Sequence, residues 1–139
     1  MNVIKIKKPD DWHLHLRDGE ILKAVLPESE RHFARALIMP NLTPPITSVS
    51  QATKYKASII SALQDKKGFI PLMTLYLTEA TKLTDIKYGF ETGLITAVKM
   101  YPAGATTNSE SGVKDFTKIH PILELMENLK LTSTQVECR

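Results

Sequence analysis

Apolar and polar residues along this chain fall into strand-like and helix-like segments that alternate. Three near-continuous apolar runs are typical of parallel strands that are buried on both faces. Together with an alternating segment near the start, the predicted strands are residues 11–19, 34–39, 69–77 and 94–101. Apolar residues at helical spacing follow each of them, at residues 20–26, 50–63, 84–92 and 115–131. Residues 3–7 also alternate and are predicted to form a short edge strand.

The ends of the predicted helices are set by proline, serine and glycine. Pro27 is predicted to stop the first helix, Ser50 to cap the second and Gly93 to close the third. Four strand–helix units in succession predict an α/β fold with a parallel sheet, which is either open and doubly wound or part of a barrel. Neither a Gly-x-Gly-x-x-Gly motif after the first strand nor a P-loop is present, which disfavours the nucleotide-binding versions of the open fold.

Composition narrows the function classes. The 139 residues are 42% hydrophobic and 24% charged, which is typical of a globular domain with its own core. The net charge is +3, and the basic residues are dispersed and not interleaved with aromatic ones, so no nucleic-acid partner is expected. Cys138 is the only cysteine, which excludes an intrachain disulfide framework. No leader or membrane-length apolar run is visible, and we expect a cytoplasmic protein without a membrane partner.

The stretch at residues 11–19, DWHLHLRDG, holds the most informative side chains. In a strand, His13, His15 and Arg17 share one face, while the tryptophan and leucines share the other and should be packed. Two imidazoles about 7 Å apart along a strand can hold a metal ion from one side. A guanidinium beside them can bind a carboxylate or phosphate with two hydrogen bonds. The simpler alternative is that these are polar residues on an exposed strand face.

Other unusual residues fall at the carboxyl ends of the predicted strands, where parallel α/β folds collect function. Lys99 stands in an apolar strand; it either snorkels to the rim or is a functional amine. A buried lysine readily loses its charge, and a neutral amine can react with carbon dioxide to give a carbamate that bridges two divalent cations. Asn41 is either a turn residue or a donor to a substrate carboxylate. His32 and His120 lie away from these ends and are not expected to be metal ligands.

Four motifs, in order, resemble the homodimeric, bacterial-type dihydroorotases of the metal-dependent amidohydrolase superfamily. They are residues 12–19 (WHLHLRDG), 39–45 (MPNLTPP), 71–74 (PLMT) and 97–109 (AVKMYPAGATTNS). The resemblance covers residues 3 to about 131. It implies a (β/α)8 TIM barrel, of which this chain would supply about four βα units, and reversible conversion of N-carbamoyl-L-aspartate to L-dihydroorotate, the third step of pyrimidine synthesis.

The resemblance also implies a set of site residues. His13 and His15 would bind the more buried of two zinc ions, and an N-carboxylated Lys99 would bridge both. Arg17 and Asn41 would bind the carboxylate of a small-molecule substrate. The protein would be a homodimer.

The chain departs from this family in its length and in its last residues. A complete (β/α)8 barrel needs about 250 residues, and the family's other metal-binding histidines and catalytic aspartate come from later strands. We therefore expect residues 1–131 to be the N-terminal half of the barrel, and this chain alone to be inactive and to bind zinc weakly. Residues 132–139 are expected to be an atypical tail, as after a truncation or frameshift, with Val136 where the family has a histidine.

Two other functions stay open. The chain could belong to another cyclic amidohydrolase, such as a hydantoinase or dihydropyrimidinase, although Arg17 and Asn41 argue for a substrate with a carboxylate. It could also be a non-catalytic fragment that self-associates, because half a barrel leaves open sheet edges and uncovered apolar surface.

Overall fold

The protein, seen in a computed structural model that describes residues 4–105 and 109–135, is built on one parallel sheet. Its strands are β1 (Asp10–Leu14), β2 (Arg35–Ile38), β3 (Ile70–Tyr76), β4 (Ile95–Met100) and β5 (Thr132–Gln135). Its helices are α1 (Gly19–His32), α2 (Val49–Ala62), α3 (Leu83–Glu91) and α4 (His120–Asn128), the last preceded by a 3₁₀ turn at Phe116–Ile119.

The strands lie in chain order, and every neighbouring pair is parallel. A doubly wound sheet reverses its strand order at a switch point, whereas a barrel adds each strand beside the one before it. Successive helices also contact one another, α1 with α2, α2 with α3 and α3 with α4. The fold is therefore an incomplete (β/α)8 barrel, as predicted, rather than a doubly wound sheet.

Two apolar clusters lie on the sheet. The larger one joins the helices to the strands and includes Leu26, Ile59 and Ile122, each at most 3% exposed. The smaller one contains Leu37, Met39 and Ala97, with Leu72 against it. The smaller cluster lies on β2, β3 and β4, and β4 also carries Lys99. Within the described ranges, no helix has both the length and the apolar character needed to cross a membrane.

The first strand is shorter than predicted. β1 ends at Leu14, so His15 and Arg17 lie beyond it. Trp12 was expected on a packed face, but it is 59% exposed because β1 is an outer strand of the sheet. The edge strand predicted at residues 3–7 is wrong for residues 4–7, where the isoleucines alternate with lysines but stay in solvent and no strand pairs with them.

Two of the predicted helix ends are also corrected. Pro27 lies inside α1, which runs on to His32. Its last turn is fixed by tertiary contacts, since the buried carboxylate of Glu30 accepts hydrogen bonds from the backbone N–H groups of Gln64 and Asp65. α2 is capped by Ser48 and not by Ser50.

The last two elements differ from the pattern as well. The helix predicted at residues 115–131 divides into the 3₁₀ turn and α4, which has Pro121 in its first turn, where a missing N–H costs nothing. β5 was not predicted, because its polar sequence lacks an apolar pattern; its backbone pairs with β4 from Ala97↔Thr132 to Met100↔Gln135. Residues 136–139, which include Val136, lie outside the described part of the chain.

Candidate functional site

Three of the predicted side chains meet at the carboxyl ends of the strands. The Nε2 atoms of His13 and His15 are 3.3 Å apart, and Lys99 Nζ lies 3.1 Å from His13 Nε2. β1 brings the first imidazole, the segment after β1 the second, and β4 the amine. An irregularity in the β1–β2 register between Asp11 and Leu14 accompanies this convergence. Two neighbouring imidazoles and an amine 86 residues from the first of them therefore form one cluster.

Lys99 is fully buried, with 0% of its surface exposed, so it does not snorkel to the rim. Its amine lies 3.1 Å from the sulfur of Met39 and 5.0 Å from the centre of the Tyr101 ring. Among the residues described, no carboxylate forms an ion pair with it. Burial lowers the pKa of Lys99 to about 8. Near physiological pH the amine is still mostly protonated, but a neutral fraction is available that an ordinary lysine lacks.

The two imidazoles are kept neutral by their surroundings. Burial lowers the pKa of His15 to about 4, helped by the positive charge of Arg17 and by the charges that His13 and Lys99 carry when they are protonated. Burial also lowers the pKa of His13, and the charge of Lys99 adds to the effect while Asp11 opposes it. Neutral imidazole is the form that binds metal ions. Near pH 7 both rings can therefore offer a lone pair without first losing a proton.

The geometry of the two imidazoles fits one metal ion. Two nitrogen ligands of a tetrahedral zinc ion, each about 2.1 Å from the metal, lie roughly 3.4 Å apart. The separation of 3.3 Å between the Nε2 atoms of His13 and His15 matches that spacing. In the parts of the chain that are described, no cluster of three or more histidine, cysteine, aspartate or glutamate residues could hold a metal. His13, His15 and Lys99 thus offer part of a ligand set.

Arg17 and Asn41 form a second group beside these nitrogens. Arg17 adopts a left-handed backbone conformation, with φ of 60°. Its carbonyl accepts a hydrogen bond of 2.7 Å from the hydroxyl of Tyr55 in α2, and its Nη1 donates to the backbone oxygen of Asn41 at 3.2 Å. Arg17 was predicted on the histidine face of one long strand; it instead reaches Asn41 from the irregular segment between β1 and α1. The structure nevertheless brings the two predicted anion-binding residues together.

Sequence reasoning missed the roles of Tyr101 and Met39 in this region. The Tyr101 hydroxyl lies 3.3 Å from Asn41 Oδ1 and donates to it, and both side chains are 4% exposed. A tyrosine at the end of a buried strand, directly before Pro102, was a usable signal, since a buried phenol needs a hydrogen-bond partner. Residues 106–108 of the fourth motif lie outside the described residues.

The other two histidines lie apart from the cluster, as predicted. His32 ends α1 and its Nε2 is 3.5 Å from the carboxylate of Glu28. His120 is exposed at the start of α4. Neither residue contributes to the cluster of His13, His15 and Lys99.

Curated proteins with similar sequences are dihydroorotases, although no protein-family model matches the chain. It is 56% identical over 128 residues to a dihydroorotase of Ruegeria sp. (strain TM1040), which covers 92% of this chain and 37% of that protein. It is 53% identical over 131 residues to a dihydroorotase of Agrobacterium fabrum, covering 94% of this chain and 38% of that protein. The chain thus spans a little over a third of the length of these curated relatives.

Solved structures agree with the sequence matches. A dihydroorotase from Campylobacter jejuni superposes with a TM-score of 0.83 at 38% identity, covering 92% of this chain and 37% of that chain. A dihydroorotase from Saccharomyces cerevisiae, solved in complex with 5-fluoroorotic acid, superposes with a TM-score of 0.83 at 33% identity, covering 91% of this chain and 35% of that chain.

Proposed function

We propose, since this chain belongs to the dihydroorotase family as its N-terminal part, that it supplies half of the active site of a dihydroorotase. The reaction is the reversible conversion of N-carbamoyl-L-aspartate to L-dihydroorotate. The observation that carries this proposal is the contact of the buried Lys99 amine with His13, which is itself paired with His15, beside Arg17 and Asn41. In this reading the cluster is one side of a metal site, and the second pair is a carboxylate clamp.

Zn²⁺ is the cofactor that we propose, with two ions in the complete site. His13 and His15 would bind one of them, and the neutral amine of Lys99 would react with carbon dioxide. That step forms an N–C bond and releases one proton, which leaves an anionic carbamate able to bridge both ions. When bound, zinc supplies Lewis-acid activation of water and of the substrate carbonyl. The low pKa of Lys99, about 8, supports the availability of its amine for this modification.

Arg17 and Asn41 would bind and orient the substrate carboxylate. A guanidinium can donate two parallel hydrogen bonds to a carboxylate, and an amide nitrogen can add a third. The 5-fluoroorotic acid bound by the Saccharomyces cerevisiae relative is a pyrimidine that carries a carboxylate, which supports a ligand of this class. The same pair disfavours a hydantoinase or dihydropyrimidinase, whose substrates need no carboxylate clamp.

The activity belongs to the completed protein in this proposal. The catalytic aspartate and the remaining metal-binding histidines that the family resemblance implies have no counterpart in this chain, which spans 37% of the Ruegeria relative. We therefore propose that the 139-residue chain alone is inactive. A homodimeric assembly and a cytoplasmic location are parts of the same proposal and are supported by the family resemblance.

A chimera tests the proposal. Residues 1–131 would be joined to the remaining part of the Ruegeria dihydroorotase, and hydrolysis of L-dihydroorotate and of dihydrouracil would be compared. We expect turnover of dihydroorotate, with kcat/KM for dihydrouracil lower by roughly 100-fold or more, since a site built for a polar group rejects the analogue that lacks it.

Matched variants sharpen the result. Lys99→Ala should abolish turnover, whereas Lys66→Ala, at an exposed turn, should leave it unchanged. A folded, zinc-loaded chimera that is inactive on both compounds would refute the proposal. One that prefers dihydrouracil would favour the other class of cyclic amidohydrolase.

A further inference from the structure

The side chain of Asn41 is a buried amide whose oxygen accepts a hydrogen bond. Only 4% of the residue is exposed, at the carboxyl end of β2. Its Oδ1 accepts from the hydroxyl of Tyr101 at 3.3 Å, and its backbone oxygen accepts from Arg17 at 3.2 Å. Its Nδ2 has no hydrogen-bond partner among the residues that the structure describes. A buried donor without a partner is unfavourable, so this nitrogen is suited to an acceptor that arrives with a ligand.

We propose that Tyr101 is a positioning residue that fixes the amide of Asn41 with its nitrogen toward the ligand's carboxylate. The inference rests on the function proposed above, which assigns that carboxylate to Arg17 and Asn41. An amide has nearly the same shape when it is turned by 180°, so contacts of shape alone cannot select its orientation. A hydroxyl that donates to Oδ1 selects one orientation, and it leaves both Nδ2 hydrogens for an acceptor.

Tyr101 is well placed for this role. Its ring centre lies 5.5 Å from that of Tyr76 and 5.0 Å from the amine of Lys99, so the ring is held from two directions. Replacement by phenylalanine would keep these ring contacts and remove only the hydroxyl. The Tyr101→Phe variant therefore isolates the hydrogen bond to Asn41.

A ¹⁹F NMR titration with two matched probes tests the inference on the intact 139-residue chain in the presence of Zn²⁺. 5-Fluoroorotate carries the carboxylate and 5-fluorouracil lacks it. We expect Tyr101→Phe to raise the Kd for 5-fluoroorotate roughly fivefold, the usual effect of one hydrogen bond, and to leave 5-fluorouracil unchanged. Tyr88→Phe, at a tyrosine that is 60% exposed on α3, is the control and should change neither Kd.

A double-mutant cycle separates positioning from general structural damage. In an Asn41→Ala background, Tyr101→Phe should cause no further loss of 5-fluoroorotate affinity, because the amide that it positions is gone. Full additivity of the two substitutions would overturn the inference.

A second measurement needs no ligand. In ¹H–¹⁵N spectra, the side-chain amide pair of Asn41 should shift in Tyr101→Phe, while that of the exposed Asn128 stays in place. An unshifted Asn41 pair would overturn the positioning role, whatever the affinities. If the unsubstituted chain fails to distinguish the two probes while the Asn41 pair shifts, the carboxylate clamp of the proposed function fails and the Tyr101–Asn41 contact stands.

Discussion

Arg17 shows how a single residue's backbone can be set by a contact from a distant element. A non-glycine residue in the left-handed region carries a conformational cost of about 1 kcal/mol or more, and such strain persists where surrounding contacts hold it. Here Tyr55 holds it, with its hydroxyl donating to the Arg17 carbonyl at 2.7 Å. Burial raises the pKa of Tyr55, so the phenol remains a donor at all ordinary pH values. The hydroxyl of Tyr55 is therefore a support for the proposed anion clamp.

Tyr55→Phe should test that support. Removal of the hydroxyl leaves the Arg17 carbonyl without its donor, and we expect the free energy of unfolding in urea to fall by about 1 kcal/mol. The affinity for 5-fluoroorotate should fall as well, because Arg17 is released from its left-handed conformation. Tyr88→Phe on α3 serves again as the exposed control. Stability and affinity equal to those of the unsubstituted chain would show that other contacts hold the backbone of Arg17.

A functional residue could be predicted from sequence where a charged or polar side chain interrupts an apolar segment. Lys99 is a charged residue in an apolar strand, and the structure buries it fully beside His13. The hydrogen bond from Tyr101 to Asn41 could not be predicted, because it joins the ends of β2 and β4, 60 residues apart. Arg17 was assigned to a strand face because the alternation of polar and apolar residues continues past Leu14, where the strand itself stops.

Capping decides where α2 begins. The Ser48 hydroxyl accepts from the Gln51 backbone N–H, and the Gln51 side chain accepts from the Ser48 backbone N–H at 3.0 Å, which together form a capping box. Ser50, the predicted cap, lies within the first turn and is exposed. The preference for serine at a helix N-cap applies equally to Ser48 and Ser50. Only Ser48 has a glutamine three residues later, as a capping box requires.

Ser48→Ala and Ser50→Ala make a matched pair of predictions for this helix. Loss of the cap should lower the free energy of unfolding by about 1 kcal/mol, whereas an exposed serine in the first turn should change it by less than about 0.5 kcal/mol. Thermal or urea unfolding of the two variants side by side measures the difference. A larger loss at Ser50 than at Ser48 would contradict the capping box and restore the start predicted from sequence.

Buried strands were the most predictable elements, and helix ends and polar strands the least. β2, β3 and β4 could be located because burial on both faces demands continuous apolar runs. Pro27 was taken as the end of a helix, since the sequence does not reveal that Glu30 anchors the next turn to the residues after α2. β5 pairs with β4 through backbone hydrogen bonds, which do not require apolar side chains, so its polar sequence did not predict a strand.

At the scale of the whole molecule, the sheet has two outer strands where a closed barrel would have none. Within the described residues, β1 pairs only with β2, and β5 only with β4. An outer strand presents backbone N–H and C=O groups that another chain can pair with. Closure of a barrel pairs these groups within the protein and leaves no outer strand. Trp12, 59% exposed on β1, adds apolar surface to that edge. Self-association through the β1 edge is therefore the expected behaviour of this chain on its own.

Sedimentation velocity over micromolar to millimolar concentrations measures this association. We expect the weight-average sedimentation coefficient to rise with concentration, and Trp12→Lys to reduce the rise, because a lysine on an outer strand opposes pairing with a second copy. Tyr88→Lys is the matched control: Tyr88 is 60% exposed, close to the 59% of Trp12, but lies on α3. A concentration-independent monomer would mean that the edge is protected. Equal effects of the two lysines would assign the association to general apolar exposure rather than to β1. If association runs through β1, addition of the polypeptide that completes the barrel should suppress it, since that polypeptide would occupy the same edges that a second copy pairs with.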